Sequence, residues 1–436
     1  MHTTTKKLLA AAAGALIVAA GCSSSKSSHS TATTAGASAT TASAAPASSP
    51  SSSVPNRGTY TIGLLTDVTG LAASGNKTSV QGAQAGAVLA SRDGYTFKID
   101  VGDTTSSPNG ALVAAQKMVE QDHVFAVVMV SALGFGAAPY LTSQGVPVVG
   151  FAEDGPEWIT ATNMFSITGA LHTNLVATTL GQFFKMEGVT TVGALGYSIS
   201  PSSAEAAKGA ADSAKAAGLK VGYVNASFPF GSTNVQPPAL AMKSAGVDGE
   251  TSTVDPNTAY ALITALRQVG DNLKVAVLPS GYGADVLQAG PGALQAAQNV
   301  YFTLGFEPVE MHTPATEQFL SDIKAAGVTG EAATEPTANM YSGYVAVGLL
   351  DQGLTAAGSN PTKAALISAL SNIHDFSALG LWGGRKLDIN DRQNIASGVD
   401  NCSWVTKLSG NSFQLVTGAD PICGTVIPGV SESPSS

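Results

Sequence analysis

Charged side chains are scarce in this chain of 436 residues. Asp, Glu, Lys and Arg make up 12% of it, roughly half of the usual share of about a quarter. Basic residues are the rarer kind, 21 against 30 acidic residues, which gives a net charge of −9. Nucleic-acid binding requires clustered Lys and Arg to pair with phosphates. We therefore expect no nucleic-acid partner, and a surface built largely from Ser, Thr, Asn and Gln.

The motifs of common enzyme classes are missing as well. No G-x-S-x-G elbow, H-E-x-x-H pair or phosphate-binding loop occurs. Gly134-Phe135-Gly136 follows an apolar run, but Pro139 stands where a dinucleotide-binding loop requires its third glycine. The histidines beyond His2 are scattered without metal-ligand spacing; they are His29, His123, His172, His312 and His374. We therefore expect no catalytic residue, no enzyme activity, no cofactor and no metal.

The N-terminus has the form of an export signal. Lys6 and Lys7 precede an uncharged apolar run, residues 8–20, which has signal-peptide length. Its end, Val18-Ala19-Ala20-Gly21-Cys22, resembles the lipobox of bacterial lipoproteins, with Ala19 where leucine is usual. The resemblance implies removal of residues 1–21 and a lipid anchor, palmitate included, on Cys22. An ordinary secretory signal with an incidental cysteine is the alternative. No other apolar run approaches the roughly 18 residues that would span a membrane.

Residues 22–57 are mostly Ser, Thr, Ala and Pro. Such a segment has too few apolar side chains to offset the entropy lost on ordering, so we predict a disordered tether with a reach of roughly 30 Å. Removal of the signal peptide would leave 19 basic and 30 acidic residues, a net charge of −11. The expected location is the extracytoplasmic face of the cell membrane, with the lipid as anchor. A glycosylated stalk would serve the same mechanical purpose.

Only two cysteines remain once Cys22 carries the lipid. An even pair in an oxidising compartment predicts a disulfide between Cys402 and Cys423. It would close a loop of about 20 residues and contribute roughly 3 kcal/mol on the chain-entropy description. Two free thiols are the alternative, because Cys402 begins an apolar strand pattern in which a buried thiol would also fit.

The part from residue 58 to 424 alternates between strand and helix patterns, which predicts an α/β fold with parallel sheets. Apolar stripes at helical spacing occur at Leu112, Ala115 and Val119, at Val176, Leu180, Phe183 and Phe184, and at Val347, Leu350 and Leu354. Short apolar runs predict buried strands at 60–65, 97–101, 124–130, 146–151, 189–195, 219–224, 273–278 and 300–304.

Several segments together resemble the branched-chain amino-acid type of substrate-binding protein of ABC importers. They are Ile62-Gly63-Leu64-Leu65 with Thr69-Gly70 and Gly82; Asp103 with Ser107-Pro108-Asn109; Ala114-Ala115-Gln116-Lys117-Met118-Val119; Gly145-Val146-Pro147-Val148-Val149; Gly155-Pro156-Glu157; and Tyr341-Ser342-Gly343-Tyr344. The resemblance implies the type I periplasmic-binding-protein fold, in which two α/β lobes joined by three crossovers trap a small ligand. It also implies a monomer that delivers its ligand to a membrane permease.

The same resemblance sets the expected boundaries. Residues 58–172 and 303–375 would form the N-terminal lobe. Residues 173–302 and 376–424 would form the C-terminal lobe, and residues 425–436 a flexible tail.

The resemblance weakens at the loops that decide specificity. Amino-acid binders hold the ligand carboxylate with a Ser-rich loop after the third strand, where this chain has the single hydroxyl of Ser131. Asp154 falls near their usual threonine after the fourth strand, and a carboxylate cannot donate to another carboxylate unless it is protonated. We therefore expect a ligand other than a simple branched-chain amino acid. The predicted ligand-binding residues are Ser74, Ser131, Ala152, Glu153, Asp154, Tyr197, Ser198 and Tyr282.

Each of these choices has a structural alternative. Ser131 would serve equally as a helix or turn cap, Glu153 and Asp154 as a solvated turn, and Tyr197 as a cover for the core. The predicted function is capture of a small polar ligand, such as an amino acid or a related molecule, by hinge closure. A ligand-sensing subunit of a membrane signalling system with the same fold is the alternative.

Overall fold

A computed structural model describes residues 55–169, 175–288, 291–392, 399–416, 418 and 420–431. The predicted signal peptide, Cys22, His29, His172 and most of the predicted tether lie outside the described residues. Within the described ranges, no helix is both long and apolar enough to cross a membrane.

The strands and helices follow one another in the predicted α/β manner. The strands are β1 Gly58–Thr66, β2 Tyr95–Asp103, β3 Ala126–Val130, β4 Val148–Gly150, β5 Met164–Ser166, β6 Leu175–Ala177, β7 Thr191–Tyr197, β8 Lys220–Phe228, β9 Gly249–Thr253, β10 Val275–Leu278, β11 Tyr301–Leu304, β12 Cys402–Ser409, β13 Ser412–Val416, β14 Ile422–Cys423 and β15 Val426–Ser431. The helices are α1 Ala73–Asn76, α2 Ser79–Arg92, α3 Pro108–Glu120, α4 Ala138–Ser143, α5 Glu157–Thr160, α6 Thr179–Met186, α7 Pro201–Ala216, α8 Gln236–Ser244, α9 Pro256–Gln268, α10 Ala284–Gln288, α11 Pro291–Ala296, α12 Pro314–Ala325, α13 Ala338–Ala357 and α14 Lys363–Ser371.

The first lobe is built on a parallel sheet with the strand order β2-β1-β3-β4-β5. Its central strand β3 is buried along its whole length, as expected for a strand covered by helices on both faces. The long helix α13 packs on α2 and on the sheet, and Val347, Leu350 and Leu354 are fully buried on it. The predicted helical stripe therefore faces the core.

The second lobe is built on a mixed sheet with the order β13-β12-β11-β10-β9-β7-β8. Strands β7 to β11 run parallel, whereas β12 and β13 return antiparallel along one edge. Strand β14 pairs with β12, and this register brings Cys402 opposite Cys423. The structure joins these two cysteines by a disulfide. The two-lobed α/β fold expected from the sequence is confirmed.

Helix starts follow the local chemistry of the chain. Proline in the first turn follows a capping side chain at α3, α7, α9 and α12, where the amide that proline lacks would have no partner in the helix. Ser107 Oγ, for example, accepts from the amide of Gly110 at 3.0 Å and caps α3. These caps determine where the loops before the helices turn.

Two expectations need correction, and several strands, β9 among them, were not predicted. Val176 lies in β6 and not on the predicted helical stripe, because α6 begins only at Thr179. The segment expected to be a flexible tail from residue 425 contains β15, which pairs antiparallel with β6 and so satisfies its backbone groups there. Strand β9 was not predicted, because Glu250, Thr251 and Ser252 are polar although they are buried. The predicted lobe boundaries remain a prediction, and the one after residue 302 falls inside β11.

Candidate functional site

The two sheets create a crevice at corresponding places. In a parallel sheet, loops on either side of the point where strand order reverses diverge and leave a crevice beyond the carboxyl ends of the strands. In the first lobe the order reverses between β1 and β3, and in the second between β7 and β9. The loops after these four strands therefore converge on the space between the lobes.

A cavity of about 380 Å³ occupies that space. The first lobe and the crossover segments contribute Ala72, Gly75, Asn76, Ala132, Leu133, Phe151, Ala152, Glu153, Thr168, Ala338, Asn339 and Ser342 to its lining. The second lobe and its connections contribute Tyr197, Ile199, Ser200, Ser202, Ser203, Ala206, Phe230, Thr253, Val254, Asp255, Pro256, Pro279, Ser280, Gly281, Asp285, Thr303, Leu304, Gly305, Phe306, Cys402 and Ser403. Because both lobes contribute, a ligand here would be held between them.

Asp67 organises the loops of the first lobe. This fully buried carboxylate follows β1 and accepts from Asn76 Nδ2 at 2.7 Å, from Thr104 Oγ1 at 2.5 Å and from the amide of Ala132 at 2.9 Å. Three separate loops are thereby fixed to one side chain. Charge-assisted bonds of this kind are about twice as strong as neutral ones, so the lining at Asn76 and Ala132 is held in place.

Asp255 has the corresponding role in the second lobe. It caps α9 by accepting from the amides of Asn257 and Thr258 at 3.0 and 3.2 Å. Its other oxygen accepts from Tyr197 Oη at 2.5 Å. From the first lobe, Ser74 Oγ donates to Asp255 at 3.3 Å. Asp255 therefore joins the end of β7, the start of α9 and the opposite lobe.

Glu153 is the ionisable residue of the first lobe that lines the cavity. Burial is the main factor that raises its pKa, to about 8, and the negative charges of Asp67 and Asp154 add to this, while Asn76 favours the charged form. Its Oε2 atom is buried and has no hydrogen-bond partner among the described residues. A buried acceptor of this kind requires a donor.

Asp285, on the first turn of α10, lines the cavity from the second lobe. Burial raises the pKa of its carboxyl well above the usual range, and the ammonium of Lys77 acts in the opposite direction. Of the described residues that line the cavity, Glu153, Asp255 and Asp285 are acidic, and none is Lys, Arg or His. The ionisable carboxyl groups of this lining therefore have no basic residue beside them in the described lining.

The structure brings together only part of the predicted set. Ala152, Glu153 and Tyr197 line the cavity. Ser74 lies behind the lining, where its contact with Asp255 links the lobes. A role of these residues in ligand binding remains a prediction.

The other predicted residues are placed outside the lining. Asp154 is buried, and its carboxylate accepts from the amide of Phe135 at 2.6 Å and from Trp158 Nε1 at 3.0 Å, so its position fits a role in holding the loop. Ser131 is buried at the end of β3, with its hydroxyl directed to Thr104 Oγ1 at 3.4 Å.

Ser198 and Tyr282 also lie away from the cavity surface. The side chain of Ser198 is exposed, and its amide donates to the carbonyl of Phe228 at 3.1 Å. Tyr282 is buried against the ring of Phe413, and its hydroxyl donates to Glu310 Oε2 at 2.8 Å. The ring of Tyr282 therefore packs behind its loop, whereas it was expected to face the cavity.

Asn76, Asp255 and Asp285 were not predicted as site residues. The signal for Asp255 was present, since Asp255-Pro256 followed by Thr258 is the pattern of a capped helix start. It was missed because β9, the strand that places it at the cleft, has a polar sequence. No local pattern marks Asn76 or Asp285.

The histidines and acidic groups give no metal centre in the described part of the chain. No group of three or more His, Cys, Asp or Glu side chains lies close enough there to hold a metal ion.

Two lobes, each with a mainly parallel sheet, and a ligand-sized cavity between them define a two-lobed solute-binding protein. Comparison with known families leads to the same class. Residues 59–412 match the family described as periplasmic binding protein. The chain belongs to this family, whose members are binding proteins that work with ABC transporters. Membership implies an extracytoplasmic location. No curated protein sequence matches the chain.

Solved structures of the same fold include three with informative names. A leucine-binding protein of Thermotoga maritima is 17% identical, with a TM-score of 0.67, and the match covers 84% of this chain and 99% of that one. The branched-chain amino acid transporter substrate-binding protein of Streptococcus pneumoniae, in complex with isoleucine, is 19% identical, with a TM-score of 0.66 and coverage of 85% and 99%. A solute-binding protein of an ABC transporter of R. palustris, in complex with 4-hydroxybenzoate, is 15% identical, with a TM-score of 0.67 and coverage of 84% and 98%. At these identities the likeness shows the fold alone, and it confirms the resemblance to Leu/Ile/Val-binding proteins at that level.

Proposed function

We propose that this protein captures a small solute between its lobes at the outer face of the membrane and delivers it to an ABC importer. The observation that carries this proposal is the cavity at the strand-order reversals of both sheets, because a ligand held there contacts both lobes. Such a ligand stabilises the closed arrangement through contacts that an open one lacks.

Contacts between the lobes support closure around the cavity. Besides Ser74 and Asp255, the amide of Ser202 on α7 donates to the carbonyl of Asp154 at 3.3 Å. These are single hydrogen bonds, each worth about 1 kcal/mol. Bonds of this strength allow the lobes to separate, so that ligand contacts can decide the equilibrium.

Filling the cavity should abolish ligand capture. Gly305 lines the cavity, a Cβ built on it meets no atom within 4 Å, and its φ is ordinary for an L-residue. Gly305→Leu should therefore fold but occupy ligand space. We expect mass spectrometry of small molecules extracted from protein purified from its own membranes to find a stoichiometric solute with the wild type and none with Gly305→Leu.

The matched control is Gly292→Leu. Gly292 also has open space around its Cβ and an ordinary φ, but it lies on α11 and does not line the cavity. This variant should keep the solute. Loss of the solute from both variants, or from neither, would contradict capture in this cavity.

Chemical cross-linking to partner proteins then distinguishes transport from sensing. A subunit of an importer should cross-link to a permease and an ATPase, and a sensor subunit should cross-link to a kinase.

The lipid anchor on Cys22 is part of the same proposal and needs its own test. Its support is the lipobox-like end of the apolar run and the Ser/Thr/Ala-rich tether that follows. In detergent phase partitioning, the wild-type protein should enter the detergent phase. Cys22→Ala should remain in the aqueous phase and melt at the same temperature, because the folded part does not depend on the anchor. A wild-type chain in the aqueous phase would show that no lipid is attached.

A further inference from the structure

Amides at the starts of α7 and α9, two helices beside the cavity, are already engaged. On α7, the amide of Ser203 donates to Ser200 Oγ and that of Ser202 to the carbonyl of Asp154, each at 3.3 Å. The first amides of α9 donate to Asp255. Helix N-termini bind anions through free amides. At α7 and α9 the protein's own acceptors occupy these amides, so a ligand carboxylate at either helix would have to displace them.

Three side-chain donors of the lining also bond to the protein itself. Tyr197 Oη donates to Asp255, Asn76 Nδ2 to Asp67, and Ser280 Oγ to the carbonyl of Val254 at 3.0 Å. A ligand that needs donors, such as an amino-acid carboxylate, would compete with each of these bonds. The hydroxyls of Ser202, Thr253, Thr303 and Ser403 also line the cavity, so the side-chain donors open to a ligand are neutral hydroxyls, and no cationic donor is among the described lining residues.

Carboxyl groups line the cavity on both sides. Glu153 lines it from the first lobe with its Oε2 buried and unpartnered, and Asp285 lines it from the second. None of the described lining residues carries a positive charge, and the exposed Lys77, which acts on Asp285, is outside the lining. Among the described residues, the buried Oε2 of Glu153 therefore lacks a donor, and a cationic ligand would supply one.

We propose that the solute is a small organic cation, an amine without a carboxylate, whose ammonium group binds to Glu153 and whose apolar body lies among Phe151, Phe230 and Phe306. This inference rests on the proposed function and specifies its ligand class. The three aromatic rings line the cavity; they offer apolar surface to the body of the ligand, and their faces also attract cations.

The protonation of Glu153 determines whether the affinity for the ligand should rise or fall with pH. Its pKa is raised to about 8 by burial and by the carboxylates of Asp67 and Asp154. Below pH 8 a cation must therefore displace a proton, and its affinity should rise by up to about tenfold per pH unit from pH 6 towards 8. An anion bound by the protonated Glu153 carboxyl would show the opposite slope.

The experiment compares probes that share one hydrocarbon body but differ in charge. The first set is 2-phenylethylamine, phenylalanine and 3-phenylpropanoate; the second is 3-methylbutylamine, leucine and 4-methylpentanoate. Calorimetry on the full mature protein in detergent, at pH 6, 7 and 8, should find the amine at least tenfold tighter than its amino acid and its acid in one set or both. The affinity of that amine should increase with pH.

Variants assign the effect to one carboxyl group. Glu153→Gln keeps the shape but not the charge, and it should weaken amine binding at pH 8 at least tenfold and remove the pH dependence. The matched control is Glu157→Gln, a buried neighbour outside the lining, which should retain both properties.

The outcomes separate this inference from the proposed function. If an acid or an amino acid binds most tightly, or if affinity falls with rising pH, the proposal of a cationic ligand is wrong, while the proposal of solute capture is unaffected. If neither amine binds, the solute extracted from the purified protein decides. An anionic or neutral solute contradicts the proposal of a cationic ligand, and a cationic solute supports it. Absence of both probe binding and extracted solute overturns the two proposals together.

Discussion

Replacing Gly82 by valine should lower the free energy of unfolding by about 3 kcal/mol or more, because it forces apart the two helices that pack most closely in the first lobe. A Cβ on Gly82 of α2 would overlap the backbone of α13 at the carbonyl of Met340. A Cβ on Gly343 of α13 would likewise overlap the carbonyl of Ser79. Both contacts are with backbone, which cannot move aside as a flexible side chain can.

Glycine inside a helix costs about 1 kcal/mol relative to alanine, so its presence here requires a packing reason. The buried side of α2 consists of small residues, namely Ser79, Gly82, Ala83, Ala85, Gly86 and Ala90. They allow α13 to approach closely and to bury most of its own length. Because α1 and Asn76 immediately precede α2, displacement of α2 would also disturb the cavity.

Urea unfolding of Gly82→Val measures the effect. If valine prevents folding altogether, Gly82→Ala provides the measurement and should still destabilise the protein. The control is Gly292→Ala on α11, where nothing lies within 4 Å of the added Cβ, and where helix propensity should leave stability equal or slightly higher. A Gly82→Val protein as stable as the wild type would show that the helices do not pack as described.

Glu250 should make the protein less stable as the pH rises from 6 to 8. Its side chain is fully buried on β9, and burial raises its pKa from 4.5 to about 8, with Ser252 acting in the opposite direction. Between these two values the folded chain holds a proton that the unfolded chain has released. Each rise of one pH unit in this window therefore costs about 1.4 kcal/mol, or about 2 to 3 kcal/mol from pH 6 to 8.

Thermal or urea unfolding at pH 6, 7 and 8 tests this, with Glu250→Gln as the decisive variant. Glutamine is uncharged and of similar shape, so the variant should match the wild type at pH 6 and exceed it at pH 8. Other titrating groups contribute equally to both proteins and cancel in the difference. The exposed Glu331→Gln should change nothing. Equal pH slopes for wild type and Glu250→Gln would mean that Glu250 is ionised in the folded protein at pH 6.

The inner strands β3, β4 and β10 of the parallel sheets were predictable because they are buried throughout and have uninterrupted apolar sequences. The edge strands β2 and β8 are partly exposed, and only short apolar runs within them indicated a strand. Each predicted strand overlaps an observed one, from β1 through β11. Strand β9 broke this rule: Glu250 and Ser252 are buried through tertiary packing, and their polar sequence gave no strand prediction. Because β9 was not predicted, Asp255 was not predicted as a site residue, although its capping pattern could be read from the sequence.

The same difference between what the sequence predicts and what tertiary packing decides is clearest at the site. Glu153 and Asp154 are adjacent and both have a carboxyl side chain. The sequence could therefore place both near the fourth strand but could not show which of them faces the cavity. The structure turns Asp154 towards Phe135 and Trp158, which satisfy it, and leaves Glu153 on the cavity. Which of two neighbouring side chains meets a ligand depends on the partners that the fold brings to each.

By itself, the sequence determined the alternation of strands and helices, the cysteine pair and the resemblance to periplasmic binding proteins. These features depend on local chemistry and on spacing along the chain. Only the tertiary structure decided that Glu153 and Asp285 face one cavity, with Asp255 between the lobes. These residues are far apart in sequence, and the electrostatics of a site arises from distance and burial in space.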